Sequence, residues 1–472
     1  MSASPYQRVR ARIAAKRAKR KRGVALVMVL GALVVLTVLV TDLTEQSTST
    51  LSAALADRDS IRAEYHAKSA FNLTRLLIAS EPTIRRALAG PLAILTRGKP
   101  PPQIPVWKFT DKVLGAFNSG DSALEFQRLA GTNPETGKNL GIEGGSFVVK
   151  VVDEDSKINV NLGARGDPIS RNRLGAQLLG LMGPPQYNEM FEAADLDGQV
   201  SSRQAICGAI VDWADPDETH YPCDPFATSA SGEGGPEDNF YQQVGLSYLR
   251  RNAAYSSLEE LRLVRGMSDD FWATFVDPDP ANPDARSITV WGRDQVNIQS
   301  ASPLTMLGIV CAGAPESGVC IDPMQTQSFV MGVTLLKSIM PMLPMTPKQF
   351  VSALRGRGQI GQILASVGIE PVTFSSPKEV ERMLTNQSKI FSIYVDGVVP
   401  GRKRETRVRL HGVVDFRNAA EIGETQAGLA GLLLGEDGTA SQAASTGEVA
   451  PEELAAALGS DPMGAIIYYR LE

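Results

Sequence analysis

The chain has 472 residues, enough for two or more domains, and its 43% hydrophobic and 21% charged content describes a globular body rather than a polytopic membrane protein. The net charge of −5 hides an asymmetry: residues 1–23 carry nine Lys or Arg and no acid, which leaves 38 of the 47 basic residues against 52 acids, a body of −14 with His neutral. A body so acidic repels nucleic acid and anionic lipid and suits cations, so no nucleic-acid partner is expected.

In chain order, the basic leader ends at Gly23, and Val24 to Thr41 follows as eighteen residues without a charge. A positive block abutting an apolar run of that length keeps the basic end cytoplasmic and exports the rest. Eighteen helical residues at 1.5 Å each nearly span a hydrocarbon core of roughly 30 Å. A secretory signal is cut after its apolar core at a small-residue site, and none stands out in Thr41-Asp42-Leu43-Thr44-Glu45-Gln46. Gly23 is the better candidate for processing, and a cut there makes Val24 the new N-terminus. From Asp42 to Ser80 there is no Gly or Pro, so the apolar run is expected to continue as one spine helix over 24–80. Leu51, Leu55, Ala70, Leu73 and Leu77 give it a stripe to pack on a sheet, and Pro82 marks an end or a kink.

A basic leader, a Gly and an apolar run beginning Val24-Ala25-Leu26-Val27-Met28 resemble the type IV prepilins and type II secretion pseudopilins. The resemblance implies that a prepilin peptidase cuts after Gly23 and that Val24 is methylated. Most such subunits carry Glu at the fifth mature position, where it meets a neighbour's N-terminal amine in an apolar filament core. Met28 stands there instead, a trait of the K-type minor pseudopilins.

Residues 81–163 read as mixed structure, broken at Pro100-Pro101-Pro102 and ending in a strand over Ser146–Val152. The following run, Asp153-Glu154-Asp155-Ser156-Lys157-Ile158-Asn159-Val160-Asn161, is similar to a K-type passage; read by itself it is a polar turn. Residues 164–385 turn helical. Within them Asp212-Trp213-Ala214-Asp215-Pro216-Asp217, Gly234 to Tyr241, Asn252 to Met267 and Val296 to Ser302 resemble further K-type passages in the same order. Over 386–472, the stretches Lys389–Val395 and Thr406–Val414 alternate like a hairpin with Gly397 and Pro400-Gly401 at its tip. Ala465–Arg470 reads as a closing strand. The segment 418–463 between them is an Ala/Gly-rich insertion.

Four cysteines sit in an oxidising compartment once exported. Cys311 and Cys320 flank a short loop that a disulfide could close, and Cys207 and Cys223 are the remaining pair. The densest acidic cluster runs from Asp212 to Asp238. Hard oxygen ligands suit Ca2+, and the K-type resemblance implies a structural ion, for which Asp217, Glu237 and Asp238 are the first choices. Only three His occur, and no nucleophile–base motif, H-E-x-x-H or P-loop is present, so an enzyme is not expected. Leu258 to Met267 also resembles a helix-hairpin-helix. That motif supports a second reading, an exported, membrane-anchored DNA-binding protein for uptake, but Ser268-Asp269-Asp270 would repel phosphate.

The K-type resemblance implies an α+β fold: a long N-terminal helix on a small antiparallel sheet, with a large helical domain inserted. It further implies a single-pass anchor in the bacterial inner membrane, a body in the periplasm, and a place at the tip of a secretion pseudopilus. The partners would be the I-, J- and H-type minor pseudopilins and the prepilin peptidase.

Overall fold

Helix α1 (Pro5–Thr96) is 92 residues long, about 140 Å at the α-helical rise. It belongs to a computed structural model that describes residues 4–96, 101–118, 142, 144–192, 200–225, 239–243, 246–339, 345–401, 404–420 and 461–472. Its chemistry changes along its length. Over Val24–Thr41 every side chain is exposed, so the chain's own body leaves this apolar stretch uncovered. Thr37, Thr41 and Thr44 turn their hydroxyls onto the carbonyls of Leu33, Thr37 and Val40, which satisfies them without solvent. The body begins to cover the helix at Ala63, and Ala67, Ala70, Phe71, Thr74 and Ile78 continue the buried face at steps of three and four.

This corrects the expected stripe at its start. Leu51 and Leu55 are exposed, because the sheet does not reach them, whereas Ala70 is buried and Leu73 and Leu77 pack on the core. Pro82 does not end the helix. It follows Ile78, Ala79 and Glu81, all buried, whose tertiary contacts hold the turn despite the missing N–H.

The sheet under α1 is antiparallel with its strands in sequence order: β1 (Ser146–Asp153), β2 (Ile390–Val399), β3 (Thr406–Asp415) and β4 (Ala465–Leu471). Period-two alternation sends Phe147, Val149 and Val151 of β1, Phe391, Ile393 and Val395 of β2, and Leu410 of β3 toward α1. Trp107 closes one end of this layer against Phe391, with ring centroids 4.8 Å apart. Gly397 lies inside β2, paired with Val408, and not at the hairpin tip as its residue type suggests. Its role is close approach: a Cβ there would stand 2.0 Å from the Ala63 carbonyl oxygen of α1. Gly397→Ala therefore pushes backbone against backbone, and an overpacking cost of about 1–3 kcal/mol is expected. A thermal unfolding midpoint equal to that of the unsubstituted chain would count against this packing.

Between β1 and β2 the chain builds a second, larger core. Its main helices are α2 (Pro168–Met182), α3 (Arg203–Ala214), α4 (Pro303–Gly313) and α5 (Pro323–Ile339). Their starts follow from local sequence: Asp167, Ser202 and Ser302 each accept the N–H three residues on, and Pro168 and Pro303 supply the first turn. Two parallel two-residue pairings, Ile158-Asn159 with Ile288-Thr289 and Val296-Asn297 with Leu384-Thr385, stitch the insert to itself. The architecture is α+β: a long helix on a small antiparallel sheet, with a helical domain set between its first two strands.

Candidate functional site

Gly23 and Val24 lie on the uninterrupted α1, at the border between basic leader and apolar run. The stretch beginning at Val24 is long and apolar enough to cross a membrane, and none of its most apolar window is buried by the chain itself. It runs directly into the spine held by the sheet.

At the other end of the body, the run read as a polar turn is a buried clamp. Asp155 is fully buried and accepts four hydrogen bonds from Arg293 and the strand β2 entrance: Arg293 N–H at 2.9 Å and Nε at 3.0 Å, Lys389 N–H at 2.7 Å and Ile390 N–H at 3.2 Å. Asp153 accepts from Asp155 N–H at 3.0 Å and from the hydroxyls of Ser300 and Ser388. Burial, with Asp155 beside it, pushes Asp153 up to about 7. Burial likewise raises Asp155, against the opposing pull of Arg293. Burial would also raise Glu154, but Lys157, 3.1 Å away and itself buried, holds it low together with Ser392 and Thr289. Asn161 completes the wiring by exchanging hydrogen bonds with Tyr255 and donating to the Val290 carbonyl. These residues tie both ends of the insert to the sheet. A dense acidic run placed directly after a strand was the available signal.

The acidic residues at the end of α3 and in the loop after it are partly paired. Asp212 accepts from His220 Nδ1 at 2.6 Å and Tyr221 N–H at 2.8 Å; burial raises its pKa, and the same pairing raises that of His220. Arg171 binds Asp215 at 3.0 Å and also Asp217. Burial pushes Asp215 up to about 6 despite that guanidinium. Both Asp217 oxygens are engaged, one by Arg171 and one by Thr219 N–H. Glu237 and Asp238 lie outside the described residues. Two buried oxygens nearby, Asp215 Oδ1 and Asn252 Oδ1, have no hydrogen-bond partner. They fall short of the six to eight oxygens that Ca2+ takes, and no metal-holding group of three or more His, Cys, Asp or Glu occurs among the described residues. A site here needs Glu237 and Asp238.

Cys207 is bonded to Cys223 and Cys311 to Cys320, the first bridge pinning this acidic loop to α3 and the second closing the end of α4. His66 is buried in the spine beneath Gly145, and His411 lies on β3. Among the described residues, neither has a hydrogen bond to a Ser, Thr or Cys side chain. The helix-hairpin-helix does not form: Leu258–Leu263 is a 3-10 turn, and Asp269–Phe271 passes into a short π-helical stretch, Trp272–Val276. Arg262 there stacks on Trp272 at 3.9 Å and pairs with Asp269, and Arg251 pairs with Glu260.

Residues 156–275, from the clamp through the acidic loop to Phe275, match the family model described as Type II secretion system (T2SS), protein K. Among solved structures, the chain is similar to one in the crystal structure of the GspK-GspI-GspJ complex from the enterotoxigenic Escherichia coli type 2 secretion system. The identity is 14% over 70% of this chain and 80% of that one, with a TM-score of 0.35, a likeness too loose to carry an argument. No curated protein matches the chain. The family's segment lies between β1 and β2, on a chain that also carries the exposed apolar helix stretch, and over residues 156–275 the chain is similar to the type II secretion system protein K family.

Proposed function

We propose that the chain is a minor pseudopilin of a type II secretion system, which caps the tip of the pseudopilus and helps to start its assembly. The observation that carries this reading is the distribution of mass. A helical domain larger than the sheet itself is inserted between β1 and β2 at the head of a single exposed anchor helix. A head so wide obstructs a further subunit above it, while the spine below stays open for neighbours. Ile61 and Tyr65 are exposed on that spine, 54% and 58%, and offer apolar contacts to a packed helix. The proposed neighbours are the I- and J-type minor pseudopilins, the partners in the solved complex noted above, with the H-type beyond them.

The same reading sets residues 24–80 as anchor and spine in the bacterial inner membrane, with the body in the periplasm, and assigns processing after Gly23 and methylation of Val24 to the prepilin peptidase. Missing Glu at Met28 agrees with a tip position, because a first subunit has no amine above it to pair. Single cysteines at Ile61 and Tyr65 should cross-link to the I and J subunits in assembled pseudopili, with one copy of this chain per filament. Finding it with subunits packed both above and below would refute the cap.

Calcium is proposed as a structural ion of the acidic loop, carried by Glu237, Asp238 and the unengaged Asp215 Oδ1. Its binding stabilises the folded state by mass action. Adding calcium to chelator-treated protein should raise the thermal midpoint, and the Glu237→Gln, Asp238→Asn double variant should not respond. A midpoint indifferent to calcium in the unsubstituted chain would remove the ion from this reading.

A further inference from the structure

The sheet face turned away from α1 meets the insert across a cleft of about 690 Å3, a size common for small-ligand sites. Its floor crosses all four strands, from Lys150 of β1 through Tyr394 of β2 and His411 of β3 to Tyr468 of β4. At roughly 4.8 Å between strands, the floor is about 15 Å wide. The opposite wall comes from the insert, chiefly Leu258, Pro280, Pro283 and Trp291.

Four rings form a continuous aromatic patch in this cleft. Tyr394 and His411 stack at 4.1 Å with their planes 10° apart. Tyr468 lies 5.1 Å from His411 and 5.3 Å from Trp291, and Trp291 lies 5.6 Å from His411. Each of the four remains partly exposed. Burial lowers the His411 pKa to about 4, so the ring is neutral at ordinary pH, and its Nε2 has no partner in the protein.

Three of the arginines that line the cleft are held in ion pairs, and Lys150 and Glu259 line it with opposite charges. Arg409 binds Asp396 with two contacts, at 2.8 and 3.1 Å; Arg470 binds Glu472 at 2.7 Å, and Arg286 binds Asp277 at 2.9 Å. Lys150 donates to the Ala281 carbonyl and to Asn282. The cleft is thus close to neutral on a body that is strongly acidic. Planar guanidinium and carboxylate groups fixed in such pairs keep spare donors and acceptors in a defined plane.

This combination restricts the ligand. An anion or cation would break the balance of paired charges. A purely apolar segment would cover the rings but leave the arginines and carboxylates desolvated and unmet. A sugar ring satisfies both requirements: its C–H faces are weakly positive and lie on the negative faces of aromatic rings, while its hydroxyls both donate and accept. We propose that the cleft binds a neutral oligosaccharide, with sugar rings on Trp291 and Tyr468 and hydroxyls meeting the Arg409–Asp396 and Arg470–Glu472 pairs.

The test is calorimetric titration and saturation-transfer NMR on the full chain in detergent, with chitotriose and cellotriose as probes and a neutral Ser/Ala tripeptide beside them. One of the sugars should bind, with magnetisation transferred from aromatic protons to its ring C–H groups. Trp291→Ala and Tyr468→Ala should each weaken that binding roughly tenfold or more. If either variant lowers the thermal midpoint, Arg470→Gln on the exposed edge strand supplies the reading instead, again as a weakened sugar isotherm. Binding of the tripeptide without the sugars would make the cleft a peptide groove and overturn the proposal. So would sugar binding that persists unchanged in all three variants, or no sugar binding at millimolar concentration.

Discussion

Replacing Gly23 with leucine should leave the chain at its full translated mass and abolish its contribution to secretion. Gly23 lies within one continuous helix, Pro5–Thr96. A peptide bond inside a helix is a poor substrate, because a protease needs the strand locally opened. Glycine is the weakest helix former apart from proline, by about 1 kcal/mol against alanine, so at Gly23 the helix opens more readily than at the ordinary residues beside it. Leucine removes this weakness and adds a side chain at the scissile bond. A misplaced reacting bond commonly costs on the order of 100-fold in rate, enough to leave little processed chain in a growing cell. The nine cations of the leader would then remain attached. Each costs roughly 2.5–3.5 kcal/mol to carry into a bilayer, so the uncut subunit stays locked at the membrane instead of entering a filament. Intact mass spectrometry of membrane-extracted protein, with and without a co-expressed prepilin peptidase, reads the first effect, and a secretion reporter the second. Peptidase-independent trimming beyond Thr41, unaffected by Gly23→Leu, would assign the chain to ordinary signal cleavage and defeat the pilin-type processing.

What was legible in the sequence was whatever a local period announces. The uncharged run from Val24, the strand at Ser146–Val152, the alternating pair around Ile390 and Thr406, and the closing strand at Ala465 each declare themselves within ten or so residues, and the structure forms them. Interactions between distant segments left no such trace. Asp155 receives its donors from residues 293, 389 and 390, so its neighbours in sequence suggest a solvated turn while its neighbours in space bury it. Gly397 looked like a turn residue because glycine usually is one; close approach of the Ala63 carbonyl is a second reason for glycine that only the packed helix reveals. Leu51 and Leu55 have the right spacing for a buried stripe, but spacing does not say where the sheet ends. Arg171, the residue that bridges Asp215 and Asp217, sits over forty positions before them, so the loop read as a bare acidic cluster.

Asp155→Asn should destabilise the body by about 3–5 kcal/mol, the usual cost of removing one member of a buried ion pair. The change keeps the shape of the side chain, so the loss is electrostatic. Asp155 is 0% exposed, and both its oxygens accept. An amide places an NH2 group where one of these oxygens was, facing N–H donors from Arg293 or from Lys389 and Ile390, and it leaves the Arg293 guanidinium without its counter-charge. Those donors belong to the insert and to the entrance of β2, so the loss is felt where the insert returns to the sheet. The thermal midpoint should fall by on the order of 10 °C. Asp217→Asn provides the contrast. Its side chain is 40% exposed, and Arg171 keeps Asp215 as a partner, so solvent screening limits the expected loss to less than about 1 kcal/mol. Matched unfolding curves for the two variants decide the point: equal small losses would mean that the clamp does not hold the insert in place. A large loss confined to Asp155→Asn would show that this buried carboxylate holds the insert against the sheet.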